Sequence, residues 1–148
     1  MRRGKPRGGP WYGEFRQRLI FEREAWRMYQ GLRGGLGRHE GLEGFIYRLW
    51  VEVPTYGLRH LTIVFPRRYP RSPRVFADGL IVSRHRFEDG SLCIWYWRDP
   101  VERRWTFDQG ILSLINYTII HLFKEAWFLE TGEWLGDEII HDPKEKAA

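Results

Sequence analysis

Nucleophilic chemistry in this chain rests on one side chain. Cys93 is the only cysteine, and it sits in Asp89-Gly90-Ser91-Leu92-Cys93-Ile94, just past an Asp-Gly turn. A thiolate attacks where a thiol does not, and an unperturbed cysteine with a pKa of about 8.5 is only slightly ionised at neutral pH. Arg84, His85 and Arg86 lie within ten residues upstream and would favour the thiolate if the fold brings them close. A lone cysteine between Leu92 and Ile94 also suits an inert buried position, so its presentation decides its role.

That presentation depends on the segment ahead of it. Phe65-Pro66-Arg67-Arg68-Tyr69-Pro70-Arg71-Ser72-Pro73-Arg74-Val75-Phe76 ends a strongly apolar run with three prolines. Each proline ring fixes φ, removes a backbone donor and pushes the preceding residue towards extended conformations, which predicts a stiff, extended connector rather than a helix or a central strand.

The elements around the connector can be read from periodicity. Phe15, Leu19, Ala25, Trp26, Tyr29 and Leu32 recur at helical spacing and predict an amphipathic helix over 15–32, stopped near Gly34-Gly35. Residues 33–44, with five glycines, are expected to be a flexible link. Phe45 to Pro54 and Leu58 to Phe65 are rich in β-branched and aromatic residues and predict a β-hairpin, with a further strand at Arg74 to Phe76. After an irregular loop over 96–104, in which Trp95, Tyr96 and Trp97 are expected to pack and shape the loop, Thr106 and Gln109 form a capping-box pattern. Ile111, Leu112, Leu114, Ile115, Ile119, Ile120, Leu122 and Phe123 then make the most apolar helix, expected to lie against the sheet and to run on towards Leu129; His121 within it is expected to be a core residue with its hydrogen bonds satisfied. We expect residues 1–12 to be a disordered basic arm, 13–141 a single domain and 142–148 a disordered tail.

Composition sets the outer bounds. With 148 residues, 43% of them hydrophobic, and with eight Trp, seven Tyr and nine Phe, the chain is long enough for one core and short for two. One cysteine excludes an internal disulfide and a Cys-rich zinc site, and fits a reducing compartment. No apolar run is long enough to cross a bilayer or to act as a signal peptide, so the sequence reads as cytoplasmic. Charge is uneven: residues 1–104 carry 21 Lys and Arg against 11 Asp and Glu, and 105–148 carry 3 against 8. A basic half makes nucleic-acid binding a rival reading, but the chain has no zinc-finger spacing, no RNA-recognition signature and no phosphate loop. No metal and no cofactor is expected.

The order of helix, meander, Pro-rich connector, cysteine loop and helix resembles the ubiquitin-conjugating (E2) enzymes over about residues 15–123. Tyr69-Pro70-x-x-Pro73-x-Val75 is similar to that family's Tyr-Pro-x-x-Pro-Pro-x-Val segment, with Arg74 in place of the second proline of the pair. Gly90-Ser91-Leu92-Cys93-Ile94 is similar to its Gly-x-Ile/Val-Cys-Leu segment, and Trp105 with Ile111-Leu112-x-Leu114-Ile115 to the tryptophan and helix that follow. The chain departs from the pattern in two places. Where eukaryotic members carry His-Pro-Asn it has Ser83-Arg84-His85, and its C-terminal part has Trp127, Glu130, Thr131-Gly132, Trp134, Gly136, Glu138 and His141. The latter pattern resembles E2-like proteins of bacterial conjugation systems, including those of CBASS antiphage operons.

The resemblance implies an α+β domain with the E2 fold and a transthiolation reaction. Cys93 would accept an activated protein C-terminus, from a ubiquitin-like protein or a nucleotidyltransferase, as a thioester supplied by an E1-like activating partner, and pass it to an amine. His85, in the place of the missing asparagine, would donate to the oxyanion or take the amine's proton. Asp99, in the loop after the cysteine, and His141 are supporting candidates. Two alternatives stay open: a catalytically inactive E2-like interaction module, and a basic nucleic-acid-binding domain.

Overall fold

The computed structural model describes residues 18–79, 85–95 and 99–136. Helix α1 (Arg18–Met28) leads into four strands, β1 (Arg33–His39), β2 (Leu42–Val53), β3 (Gly57–Pro66) and β4 (Arg74–Ala77). They pair antiparallel in chain order, β1-β2-β3-β4, so the sheet is a meander. Two short 3-10 turns, Val101–Arg103 and Phe107–Gln109, precede helix α2 (Gly110–Thr131). The chain is an α+β protein with a four-stranded antiparallel sheet. No helix among the described residues is long and apolar enough to cross a membrane.

Strand alternation decides which residues enter the core. Register places Tyr47 opposite Ile63, Leu49 opposite Leu61, and Ile63 opposite Val75, and directly opposed residues share a face. That face, with Val51, Val53 and Phe65, closes on Ile111, Leu114, Ile115 and Leu122 of α2 and on Ala25, Leu32 and Trp105. The other face also buries a smaller apolar cluster of Ile46, Val64 and Phe76. Burial on both faces explains why Leu61-Thr62-Ile63-Val64-Phe65 reads as a continuous apolar run.

Three expectations need correction. The glycine-rich stretch 33–44 is not a link but β1, a two-residue turn and the start of β2. Glu40 and Gly41 both have positive φ (48° and 77°), the pattern of a type I′ turn, whose twist suits a hairpin. At Gly34 a Cβ would come within 2.9 Å of the Phe45 and Tyr47 rings, so glycine lets the rings of β2 cover its backbone. Helix α1 ends at Met28 rather than near Leu32. Its last turn closes with Tyr29 N donating to Ala25 O at 2.9 Å, after which Leu32 turns into the core. The predicted start at Phe15 lies outside the described residues.

Thr106 does not cap the long helix. It precedes the 3-10 turn Phe107–Gln109, and its hydroxyl bonds to Asp108. The α-helix begins only at Gly110, whose φ of 83° and ψ of 175° are a conformation almost confined to glycine. There the Gly110 carbonyl accepts from Trp105 Nε1 at 2.8 Å, and α1 comes so close that a Cβ would stand 2.7 Å from the Phe21 ring. Helix α2 runs on past Leu129 to Thr131, and the N–H of its C-cap Gly132 donates to Phe128 O at 2.8 Å.

Candidate active site

Residues 85–93 form a small hairpin. Phe87 N donates to Ser91 O and Cys93 N to His85 O, both at 2.9 Å, around an Arg86–Leu92 bridge. The Asp-Gly dipeptide makes its turn: Gly90 N donates to Phe87 O at 2.9 Å, and Asp89 Oδ1 accepts from Ser91 N at 2.9 Å and from Ser91 Oγ at 2.6 Å. An Asp side chain that satisfies the backbone two residues on is why this residue type starts such turns. Leu92 N donates to Val75 O at 2.8 Å, so the returning limb is tied to β4. The three-proline segment is not the extended connector expected: Tyr69 N donates to Pro66 O at 3.1 Å and Ser72 N to Tyr69 O at 3.0 Å, so it makes two successive turns between β3 and β4, and the Leu92–Val75 bond with the Asp-Gly turn fixes where Cys93 emerges.

In this hairpin His85 and Cys93 are opposed residues, and opposed residues share a face. Cys93 is 9% exposed, and its Sγ lies 3.7 Å from Trp95 O, a weak hydrogen bond that a thiol can donate and a thiolate cannot. Trp95 packs on Trp105, with ring centroids 5.9 Å apart, in line with its expected role as a packing group. His85 is buried, and its ring stands 4.0 Å from that of Trp134 at a tilt of 35°.

Behind the hairpin lies a buried ionic cluster. Arg86 donates through Nε to Glu125 Oε1 at 2.7 Å and through Nη2 to Oε2 at 2.9 Å, and its Nη1 reaches Gly90 O at 3.0 Å. The two side chains are only 4% and 7% exposed. His121, one helical turn before Glu125, places Nε2 3.5 Å from Oε1, too long for a well-formed hydrogen bond. Burial pushes the Glu125 carboxyl up, but His121 and Arg86 outweigh it and hold the group below the ordinary carboxylate range. On distance, Arg86 is the stronger of the two partners. Trp134 closes the cluster, with its ring centroid 5.6 Å from His121 and 6.2 Å from Phe128.

The structure brings His85 and Cys93 together as cross-strand neighbours. Asp99 is half-buried just ahead of Pro100 and the 3-10 turn. His141, Arg84, Tyr96 and Trp97 lie outside the described residues. The guanidinium of Arg86 is neutralised by Glu125, so it is not the free positive charge beside the thiol that sequence proximity suggested. His121 is buried as expected but is not satisfied as expected: its Nε2 has no hydrogen-bond partner among the described residues, and it stands beside a carboxylate and an indole rather than among apolar groups alone. Sequence reasoning passed over Glu125. The signal available was a carboxylate four residues after a histidine in an apolar helix, because a buried charge requires a partner.

A separate cavity of about 210 Å³ opens between α1 and the sheet, lined by Glu22, Arg23, Trp26, Leu32, Gly34 and Tyr47. Burial raises the Glu22 carboxyl, and the Tyr47 hydroxyl that donates to it at 2.8 Å offsets this in part. None of the hairpin residues lines it. Among the described residues no group of three or more His, Cys, Asp or Glu side chains is placed to hold a metal ion.

No protein-family model, curated protein or solved structure matches the chain.

Proposed function

We propose that this chain is an E2-like acyl carrier with the E2 fold, in which Cys93 holds a protein C-terminus as a thioester and delivers it to an amine. The observation that carries this reading is the hairpin that sets His85 opposite Cys93, downstream of a four-stranded meander whose last two strands are joined by the Pro-rich segment. The order of elements around it, with Trp105 and α2 following, is the order the family resemblance implies. Cys93 Sγ attacks the cargo's C-terminal carbonyl, activated as a thioester by an E1-like partner, and that partner's thiol leaves. The amine nitrogen then attacks the new thioester, and the tetrahedral intermediate collapses to an amide and releases the Cys93 thiol. His85 serves the second step, either as a donor to the oxyanion or as acceptor of the amine's proton. Loss of one such donor slows the step by about 100- to 1,000-fold. A ubiquitin-like protein or a nucleotidyltransferase C-terminus is the cargo, and bacterial antiphage defence the setting.

A second reading, an inactive E2-like interaction module, is favoured by one observation: Cys93 is buried and donates to Trp95 O, as an inert structural cysteine would. Intact-mass analysis after co-expression with an E1-like partner and cargo separates the two. The carrier gives a thiol-labile adduct on the wild type, none on Cys93→Ala, and a thiol-resistant ester on Cys93→Ser. Absence of any adduct alongside demonstrated E1-like activity favours the module.

A further inference from the structure

We propose that Trp134 and the Arg86–Glu125–His121 cluster are positioning residues for the proposed reaction, holding the imidazole of His85 in register with Cys93. This rests on the carrier reading. Arg86 uses its guanidinium in three directions. Two bonds fix it to Glu125 on α2, and the third goes to Gly90 O in the turn of the hairpin, so one side chain sets the hairpin's distance and tilt against the helix. Trp134 acts on the other side. The chain leaves α2 at Gly132, where Thr131 Oγ1 accepts from Glu133 N at 3.2 Å, and returns so that the indole lies against both His85 and His121. His121 therefore touches both arms of the device, the indole and the Glu125 carboxylate.

Packing alone does not account for this set. An apolar pair of similar volume would serve the core at least as well as a buried ion pair, whose desolvation offsets much of its attraction. What a two-pronged guanidinium–carboxylate pair adds is direction. Direction matters at a site where a displacement of about 1 Å can slow a reaction by about 100-fold.

The test uses a chemical acyl donor, so it needs no cargo. 4-Nitrophenyl acetate acylates Cys93 with release of 4-nitrophenolate, followed by absorbance and by intact mass. The acetyl thioester is then discharged with lysine methylamide, which forms an amide and regenerates the thiol, across a pH series. Five variants are compared with wild type: Arg86→Lys, the paired Arg86→Met with Glu125→Leu, Trp134→Leu, His85→Asn, and Trp134→Leu on His85→Asn. Circular dichroism establishes that each is folded. The paired variant is included because an apolar swap keeps the fold while removing the directional bonds.

The expected result is that folded variants take the acetyl group as wild type does but discharge it about 100-fold more slowly. The limb of the pH profile that depends on imidazole is lost, and Trp134→Leu adds no further loss once His85 is Asn. Discharge at the wild-type rate in the folded paired variant and in Trp134→Leu overturns the proposal and leaves the carrier reading intact. So does an equal loss from Trp134→Leu with and without His85, because that marks a structural role only. A wild type that takes no acyl group on Cys93 overturns the carrier reading and this proposal with it.

Discussion

Removing one partner of the Arg86–Glu125 pair should harm the fold far more than removing both. Glu125→Ala leaves a guanidinium that is 4% exposed without its carboxylate, and an orphaned buried charge costs about 3–5 kcal/mol. That is a large share of the roughly 5–15 kcal/mol that a domain has. At about 2–4 °C per kcal/mol for a chain of this size, the melting temperature should fall by roughly 6–20 °C. Arg86→Met with Glu125→Leu removes both charges and restores packing, so most of that loss should return, with a coupling energy of about 2–3 kcal/mol.

The pH dependence has a fixed sign. The Glu125 carboxyl is held below its ordinary value in the folded protein, so its contribution is complete above the unfolded carboxylate pKa of about 4.3 and is lost as pH falls from there through the folded value. Urea denaturation of wild type, Arg86→Met, Glu125→Leu and the paired variant at pH 7 and pH 3, with Glu125→Ala alongside, measures both effects, and the gap between wild type and Glu125→Ala should shrink at pH 3. A single variant within about 0.5 kcal/mol of wild type, the scale of an ordinary surface substitution, would refute the reasoning. A paired variant as damaged as the single one would do the same.

Three further outcomes follow from local geometry. Gly110→Ala should destabilise the protein by at least about 1–3 kcal/mol in urea melts, because it forces a non-glycine residue into a glycine conformation and drives a Cβ against the Phe21 ring. Glu40→Asn should raise stability by up to about 1 kcal/mol, since asparagine tolerates the positive φ that Glu40 now adopts better than glutamate does; a melting temperature below wild type would contradict the turn assignment. Glu22 is raised by burial, so its protonated form is the favoured one, and the stability it adds below a pH of about 4.3 is lost as pH rises through the folded value. Glu22→Gln should therefore be more stable than wild type at pH 7, with the advantage fading at low pH in the same melts.

What could be read from the sequence was local. β2 and β3 were legible because β-branched and aromatic residues filled them and Pro54 with Gly57 marked the turn between them. β1 was not, because its glycines carry no pattern; it is a strand only because the rings of β2 lie beside it. The capping box at Thr106 was a sound local signal overridden by tertiary contact, since Trp105 bonding to Gly110 and α1 crossing at Phe21 delay the α-helix to Gly110. At the site, an Asp-Gly turn midway between His85 and Cys93 is what makes the two cross-strand partners, and that spacing stands in the sequence. The partner of Arg86 is 39 residues away, beyond the reach of any spacing rule, and Trp134 reaches His85 only because the chain reverses at Gly132.

In the carrier reading proposed above, the two departures from the E2 pattern meet in space. One is His85, standing where the eukaryotic members have asparagine; the other is the divergent C-terminal stretch that contains Trp134. An asparagine amide is a short side chain, whereas an imidazole is a larger ring whose orientation decides which nitrogen faces the reacting carbonyl. A flat indole 4.0 Å from the ring limits its rotation. A chain that replaces the amide with an imidazole thus gains from a surface that fixes the imidazole, and the C-terminal reversal supplies it. In the carrier reading, the substitution at His85 and the altered C-terminus are one adaptation, joined through Trp134 to the helix that also holds Arg86.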